Sequence, residues 1–256
     1  MTEQVKFINT TVFEGMTSIR AIISNLVNNK PGARKIQKVY VDIDKTDSKE
    51  KEIAFLKRMG ELFWFDVALV DAETINMFSN GNSHGGIIAL CTDRNYKKLE
   101  SNDIVSKGFY VMIDGIEDPY NFGYALRSIY ASGADGIIVS DRNWLSAAGV
   151  VCCSSAGASE KLDVFVADKN YIDLFKEKGY KIVCADTKKA VSVYDADLKK
   201  PILLIVGGEK RGISSAILKQ CDQVVRIDYG RKFDLSLSSS SAAAIISFEV
   251  FRNNLH

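Results

Sequence analysis

Three loops carry the residues best suited to chemistry. The first, Asp114-Gly-Ile-Glu-Asp-Pro-Tyr-Asn-Phe-Gly-Tyr-Ala-Leu-Arg127-Ser128, packs a turn, a helix start and the polar side chains Asp118, Asn121 and Arg127 into one stretch. Pro119 fixes one backbone angle and biases Asp118 towards an extended conformation. Asn121 reads as the cap of a helix whose apolar face is Phe122, Leu126 and Ile129, and Arg127 falls in the second turn, where its side chain can swing back over the loop. In the second loop, Val206-Gly-Gly-Glu-Lys-Arg-Gly-Ile213, Gly207 and Gly208 permit close backbone approach to a ligand. Glu209 offers an acceptor there, and Gly212 reads as opening the next helix. The spacing fits neither the phosphate loop G-x-x-x-x-G-K-[ST] nor the dinucleotide fingerprint G-x-G-x-x-G. The third loop, residues 227–241, ends in a run of serines, whose hydroxyls either cap the helix that follows or contact a polar ligand.

The elements around these loops follow from apolar patterning. Residues 109–113 form a short run of aromatic and branched side chains bounded by Gly108 and Asp114-Gly115, which reads as a buried strand. Similar runs predict strands at 136–140, 163–166, 181–185, 202–207 and 224–227, with helices between most of them and a last helix over 241–252. That alternation implies an α/β fold with a mostly parallel sheet covered on both faces. Parallel strands put their carboxyl ends on one edge, so the three loops converge where such sheets bind ligands. Before them, Ile19, Ile22, Ile23 and Leu26 mark a helix over 14–28, followed by strands at 38–43, 66–70 and 86–91 and helices over 49–59 and 73–78. This smaller α/β unit spans residues 1–100. A polar stretch, 92–107, reads as the seam before a second domain over 107–256.

Composition sets the outer limits. The chain has 256 residues, 46% of them hydrophobic and 25% charged, as expected of a globular protein. No apolar run approaches the ~18 residues of a membrane helix and no secretory leader is visible, so a cytoplasmic location is expected, without membrane association. Five cysteines without a C-x-x-C pair, and only two histidines, argue for free thiols and against a disulfide framework or a zinc site; no metal is expected. A net charge of +1 excludes a histone-like polyelectrolyte but leaves room for a local RNA-binding patch. The densest basic cluster, Lys30, Arg34, Lys35 and Lys38, reads either as solvated surface or as such a patch.

Taken together, the three loops resemble the SpoU family of RNA ribose 2′-O-methyltransferases, within the knotted SPOUT class. Asp118, Asn121, Gly123, Arg127 and Ser128 match the family's D-x-x-N-x-G-x-x-x-R-S, and Gly207, Glu209 and Gly212 match its G-x-E-x-x-G. Its S-L-N-V-S motif is met in part: Ser236 and Leu237 fit, Ser238 stands at the asparagine, and Asp228 replaces the proline usual beside Ile227. The first half is similar to the family's small RNA-binding domain. Asn82-Ser-His84-Gly-Gly-Ile87 resembles the H-Q-G-I that often ends that domain, although His84 also reads as a plain loop histidine.

The resemblance implies a C-terminal trefoil knot and a homodimer. It also implies S-adenosylmethionine held largely by backbone around Gly207, Gly208, Gly212, Ile227 and Leu237. Ribosomal or transfer RNA is the implied substrate, with Lys30, Arg34, Lys35 and His84 as candidate RNA contacts. Asn121, Arg127, Glu209, Ser236 and Ser238 are the implied catalytic set, and the family assigns its motif arginine to the ribose hydroxyl. Guanidinium has a pKa above about 12 and no acceptor site. Arg127 is therefore expected to grip the neighbouring phosphate and lower the hydroxyl's effective pKa rather than take its proton. The altered third motif also admits an RNA-binding protein of this fold that has lost catalysis.

Overall fold

A computed structural model describes residues 10–79, 81, 84–140 and 147–255. In chain order these form β1 (Thr10–Glu14), α1 (Gly15–Val27), β2 (Ile36–Asp42), α2 (Glu50–Phe63), β3 (Asp66–Val70), α3 (Ala72–Phe78), β4 (Ile87–Thr92) and β5 (Lys97–Lys98). Next come β6 (Phe109–Asp114), α4 (Pro119–Ala131), β7 (Gly136–Val139), α5 (Ala148–Ser154), α6 (Ala158–Lys161), β8 (Val164–Val166), α7 (Tyr171–Glu177) and β9 (Lys181–Ala185). The chain closes with β10 (Val191–Ser192), β11 (Ile202–Gly207), α8 (Ser215–Leu218), β12 (Gln223–Arg226) and α9 (Ser239–Asn253). The described residues divide into two compact units. One holds residues up to Asn95 together with 147–161, and the other holds Tyr96 to 140 and 162–255.

In the first unit, the spacing of Ile19, Ile22 and Ile23 turns one face of α1 inward, where it joins Phe13, Val39, Val41 and Leu56 in a buried core. The sheet runs β1-β4-β2-β3, with β4 antiparallel to both β1 and β2 and β3 parallel to β2. β1 was not visible in the sequence pattern, because its place depends on pairing Thr10 with Thr92, far along the chain.

A second departure is larger. Residues 147–161 belong to this first unit, not to an uninterrupted second domain over 107–256. Ala148 and Cys152 enter the core beside Phe13 and Ile22. Gly149 sits so close to β1 that a Cβ there would lie 2.0 Å from the Val12 carbonyl oxygen. Asn25 Nδ2 donates to the Glu160 carbonyl at 2.7 Å.

In the second unit all adjacent strand pairs are parallel, in the order β10-β12-β9-β11-β6-β7-β8-β5. β6 and β11 are buried along nearly their whole length, which requires cover on both sheet faces. On one face Tyr110, Met112, Ile182, Leu203 and Ile205 pack with Ile172 and Phe175 of α7. Side chains alternate along a strand, so Val111, Ile113, Leu204 and Val206 point to the other face. α9 packs on β11 and along α4. The two edge strands β5 and β10 are only two residues long and carry no readable period. β5 lies inside the stretch that the sequence suggested was a seam.

Candidate active site

In the second unit β12, β9, β11 and β6 are neighbours and parallel, so the loops after them leave from one edge. The first loop turns at Gly115, whose φ of +89° suits glycine. The helix cap is Asp118, not Asn121: the Asp118 carboxylate accepts from the Asn121 amide at 2.8 Å, and α4 begins at Pro119. Freed from capping, the Asn121 side chain donates from Nδ2 to Glu209 Oε1 at 2.9 Å, bridging the first loop to the second. Beside it Lys210 and Glu117 pair at 2.8 Å, and that hydrogen bond raises the exposed Lys210 ammonium above its ordinary pKa.

The second loop is set by backbone packing. Gly208 N–H donates to the Asp114 carbonyl at 2.6 Å, and a Cβ on Gly208 would stand 2.0 Å from the Gly115 oxygen. A Cβ on Gly207 would meet the Gly212 carbonyl carbon at 2.4 Å. Gly212 does not open a helix. Its amide closes a tight turn onto the Gly208 carbonyl at 2.9 Å with φ of +61°, and α8 starts after Ser214, whose side chain caps it.

Ser238 is the N-cap of α9: its Oγ accepts from the Ser241 amide at 3.1 Å and lies 2.9 Å from the hydroxyls of Ser240 and Ser241. Its lone pairs and proton are thus engaged in holding the helix start, which leaves Ser236, exposed on the loop, as the freer hydroxyl. Ser239 Oγ donates to the Gly207 carbonyl at 2.7 Å and locks the third loop to the second. The Tyr229 hydroxyl accepts from the Leu237 amide at 3.2 Å. Asp228, in the position the family gives to proline, is held below the usual carboxylate range by a hydrogen bond to Ser192 and by Arg226.

These loops enclose a cavity of about 710 Å³, within the usual range for small-molecule sites. Gly207, Gly208, Glu209, Gly212, Ile227, Ser236, Leu237 and Ser238 all line it. So do Ala185 at the end of β9, Asp186 and Thr187 after it, and Tyr229, none of which the sequence motifs singled out. The polar Asp186-Thr187 pair directly after an apolar strand was the available signal for that fourth loop. Val206, Val225 and Ile246 give the cavity an apolar lining, and Asp186 and Glu209 bring carboxylates to it. An apolar wall, backbone exposed by glycine and two carboxylates fit a flat heterocycle with a cationic tail, the chemistry of S-adenosylmethionine. Arg127 lies outside this lining, on the exposed face of α4, with no hydrogen bond or ion pair to any described residue.

The basic cluster of the first unit does not form one surface. Arg34 is fully buried, with its guanidinium 3.1 Å from Glu160 Oε1, donating to the Thr92 carbonyl at 3.2 Å and lying over the Phe13 ring. It is a core charge and cannot be an RNA contact, since separating it from Glu160 would strand a buried ion. Lys30 Nζ donates to the Lys161 carbonyl at 2.6 Å, at the end of α6, so it is a structural tie. Lys35 is exposed. His84 is half-buried, its Nδ1 accepting from the Gly86 amide at 3.0 Å within the turn before β4; Asn82 and Ser83 lie outside the described residues. Cys91, Cys152 and Cys184 are buried free thiols, whereas Cys153 is exposed.

Among the described residues no group of three or more His, Cys, Asp or Glu side chains could hold a metal ion, and no helix is long and apolar enough to cross a membrane.

The SpoU rRNA Methylase family matches residues 108–248, the stretch that holds all three loops. An uncharacterized tRNA/rRNA methyltransferase of Synechocystis is 31% identical over 72% of this chain, a match spanning 49% of that protein. The 23S rRNA (guanosine-2′-O-)-methyltransferase RlmB of Shewanella oneidensis is 27% identical over 79% of this chain and 85% of its own length. The AdoMet-bound rRNA methyltransferase from Sinorhizobium meliloti has the same fold, with a TM-score of 0.77 at 21% identity over 97% of this chain and 89% of that one. With its motifs on one sheet edge and the family matched over more than half its length, this chain belongs to the SpoU rRNA Methylase family.

Proposed function

We propose that this protein transfers a methyl group from S-adenosylmethionine to a ribose 2′-hydroxyl of structured RNA, ribosomal or transfer. The observation that carries this reading is the cavity of about 710 Å³ at the carboxyl edge of a parallel sheet, lined by Gly207, Gly208, Ile227 and Leu237 and tied to the first motif through Asn121 and Glu209. The relatives' names support it, RlmB of Shewanella oneidensis being a guanosine-2′-O-methyltransferase.

S-adenosylmethionine supplies an activated methyl group on a sulfonium leaving group, so the remaining demands are orientation and loss of one proton. The backbone of the second and third loops holds the cofactor, with Gly212 shaping the turn. Asn121 fixes Glu209 at the rim, where its carboxylate positions RNA. Arg127 grips the phosphate next to the target ribose and lowers the effective pKa of the hydroxyl; it has no lone pair with which to accept the proton. Ser236 orients the incoming nucleotide, and Ser238 keeps the start of α9 in place.

Two chains form a dimer through α4 and α9. In support, Tyr120 and Tyr124 of α4 and Phe248 and Phe251 of α9 are 44–52% exposed, a larger apolar surface than a solvent-facing helix pair usually carries. Arg127 follows Tyr120 and Tyr124 at helical spacing, so it shares their face and would stand at the subunit contact. The segment ending in α9 forms the family's trefoil knot, and the first unit binds RNA through Lys35 and His84. An RNA substrate fits a cytoplasmic location.

Radiolabelled methyl transfer onto total RNA from a strain lacking the gene, followed by mapping of the 2′-O-methyl position, tests the activity. Absence of label in every RNA pool refutes it. Calorimetry that finds no S-adenosylmethionine site at high micromolar ligand leaves an RNA-binding protein of the same fold.

A further inference from the structure

The third loop carries a surface feature that the family motifs do not account for. Between Ile227 and Ser236 it runs Asp-Tyr-Gly-Arg-Lys-Phe-Asp-Leu. Tyr229 is 37% exposed and Phe233 51%, and their rings meet edge to face with centroids 5.8 Å apart at 63°. Tyr229 also lines the cavity, so the pair stands at its mouth with the Phe233 ring facing solvent.

Cations flank the pair. Arg231 and Lys232 lie between the two rings in sequence and are exposed. Lys188 and Lys189 are exposed on the loop after β9, whose Ala190 carbonyl accepts a hydrogen bond from Arg226 at the end of β12. Of the nearby acids, Asp228 pairs with Arg226 at 2.8 Å, Asp186 and Glu209 lie on the cavity lining, and Asp234 is exposed on the loop itself.

Solvated rings among cations have a chemical logic. A phenyl ring left half in water contributes less to folding than a buried one, whereas a ring flanked by lysine and arginine suits a base that stacks while its phosphates are neutralised. We infer that Tyr229 and Phe233, with Arg231 and Lys232, form a stacking platform for an unpaired RNA nucleobase beside the ribose that is methylated. The assignment rests on the RNA methyltransferase reading above and adds to it the form of the substrate: a nucleotide splayed out of its helix, not one read within a duplex. Tyr229 anchors the platform through its hydroxyl bond to Leu237, and Phe233 supplies the free face.

Phe233 is the clean position to change, because it does not line the cavity. In methyl transfer onto total RNA from the deletion strain, Phe233→Ala should raise KM for RNA about tenfold, within the range for loss of one base–aromatic stack. The affinity for S-adenosylmethionine, measured by calorimetry, should stay within about twofold. Phe233→Trp should restore KM, and Phe233→Leu, apolar without a π face, should not. An unchanged KM in Phe233→Ala, or full rescue by Phe233→Leu, overturns the assignment. A change in sedimentation of Phe233→Ala would place the ring in a subunit contact and overturn it equally. Stacking can also be read without turnover. The Phe233→Trp emission, measured over the background of the chain's two tryptophans, should be quenched by a short single-stranded RNA of mixed sequence, and absence of quenching overturns the platform. Failure of wild-type protein to methylate any RNA, with quenching intact, removes the methyltransferase reading and leaves the platform standing.

Discussion

The glycine pair at the second loop makes the sharpest demand on sequence, and Gly208→Ala tests it. The added Cβ would stand 2.0 Å from the Gly115 oxygen and 2.4 Å from its carbonyl carbon. Both are backbone atoms, so no side chain can rotate away. Restoring an ordinary contact of about 3.5 Å requires the two loops to part by roughly 1.5 Å. That movement breaks the 2.6 Å bond from the Gly208 amide to the Asp114 carbonyl, costing about 1 kcal/mol. Overpacking against rigid backbone adds about 1–3 kcal/mol. The sum, roughly 2–4 kcal/mol, corresponds to a fall in Tm of about 5–15 °C for a chain of this size. Because Gly207 and Gly208 wall the cavity, S-adenosylmethionine affinity should fall with it. Thermal unfolding by circular dichroism and calorimetric titration of the cofactor provide the two readings. The matched control is Gly230→Ala, whose Cβ would have nothing within 4 Å and whose φ needs no glycine; it should leave Tm nearly unchanged. If Gly208→Ala melts within about 1 °C of wild type and binds cofactor equally well, the close-approach argument is wrong.

Other outcomes follow from the same structure. Arg34→Met leaves Glu160 buried without its cation and should destabilise the chain by about 3–5 kcal/mol in chemical denaturation, while Arg34→Met/Glu160→Leu should recover most of that loss; a double variant no better than the single one would refute the pairing argument. Asn121→Ala removes the donor to Glu209 and should lower kcat about tenfold with little effect on cofactor affinity, so a cofactor defect without a kcat defect would contradict the bridge. Arg127→Lys keeps the charge but loses the planar fork; methylation at near wild-type rate with an unchanged pH profile would exclude both a phosphate-gripping and a base role.

Burial pushes the Cys152 thiol up to about 12 from 9.0 and shifts Cys91 in the same direction. The folded state therefore holds these protons more tightly than the unfolded state does. Their contribution to stability is complete below about pH 9 and is lost as pH rises from there towards 12. Urea midpoints measured from pH 8 to 11 should fall for wild type and fall less steeply for Cys152→Ala.

Local pattern was enough for the elements that local pattern makes. The triplet Ile19, Ile22 and Ile23 marked α1, and the run 109–113 marked β6, because burial on one face or on both leaves a period that can be read directly. The loops were readable as positions of unusual residue types. Their partners were not: Asn121 looked like a cap because nothing local reveals an acceptor 88 residues away, and Asp118, three residues earlier, takes the cap position by accepting from the Asn121 backbone amide. Arg34 looked like surface for a similar reason. Arginine is mostly exposed, and the carboxylate that buries it lies 126 residues downstream. The two-residue strands β5 and β10 have no period at all and exist only because a longer strand offers its edge.

The return of residues 147–161 to the first unit has a consequence for how the chain is made. As the ribosome extends the polypeptide, β1 to β4 emerge with Phe13 and Ile22 lacking Ala148 and Cys152 as neighbours, and with Arg34 lacking its counter-ion. The core of that unit cannot close until Lys161 has left the exit tunnel, by which time β6, α4 and β7 of the other unit are already outside. The amino-terminal half is thus finished late. A truncated chain ending near residue 100 should expose that unfinished core and partition into aggregates, while one ending after Leu162 should hold it closed.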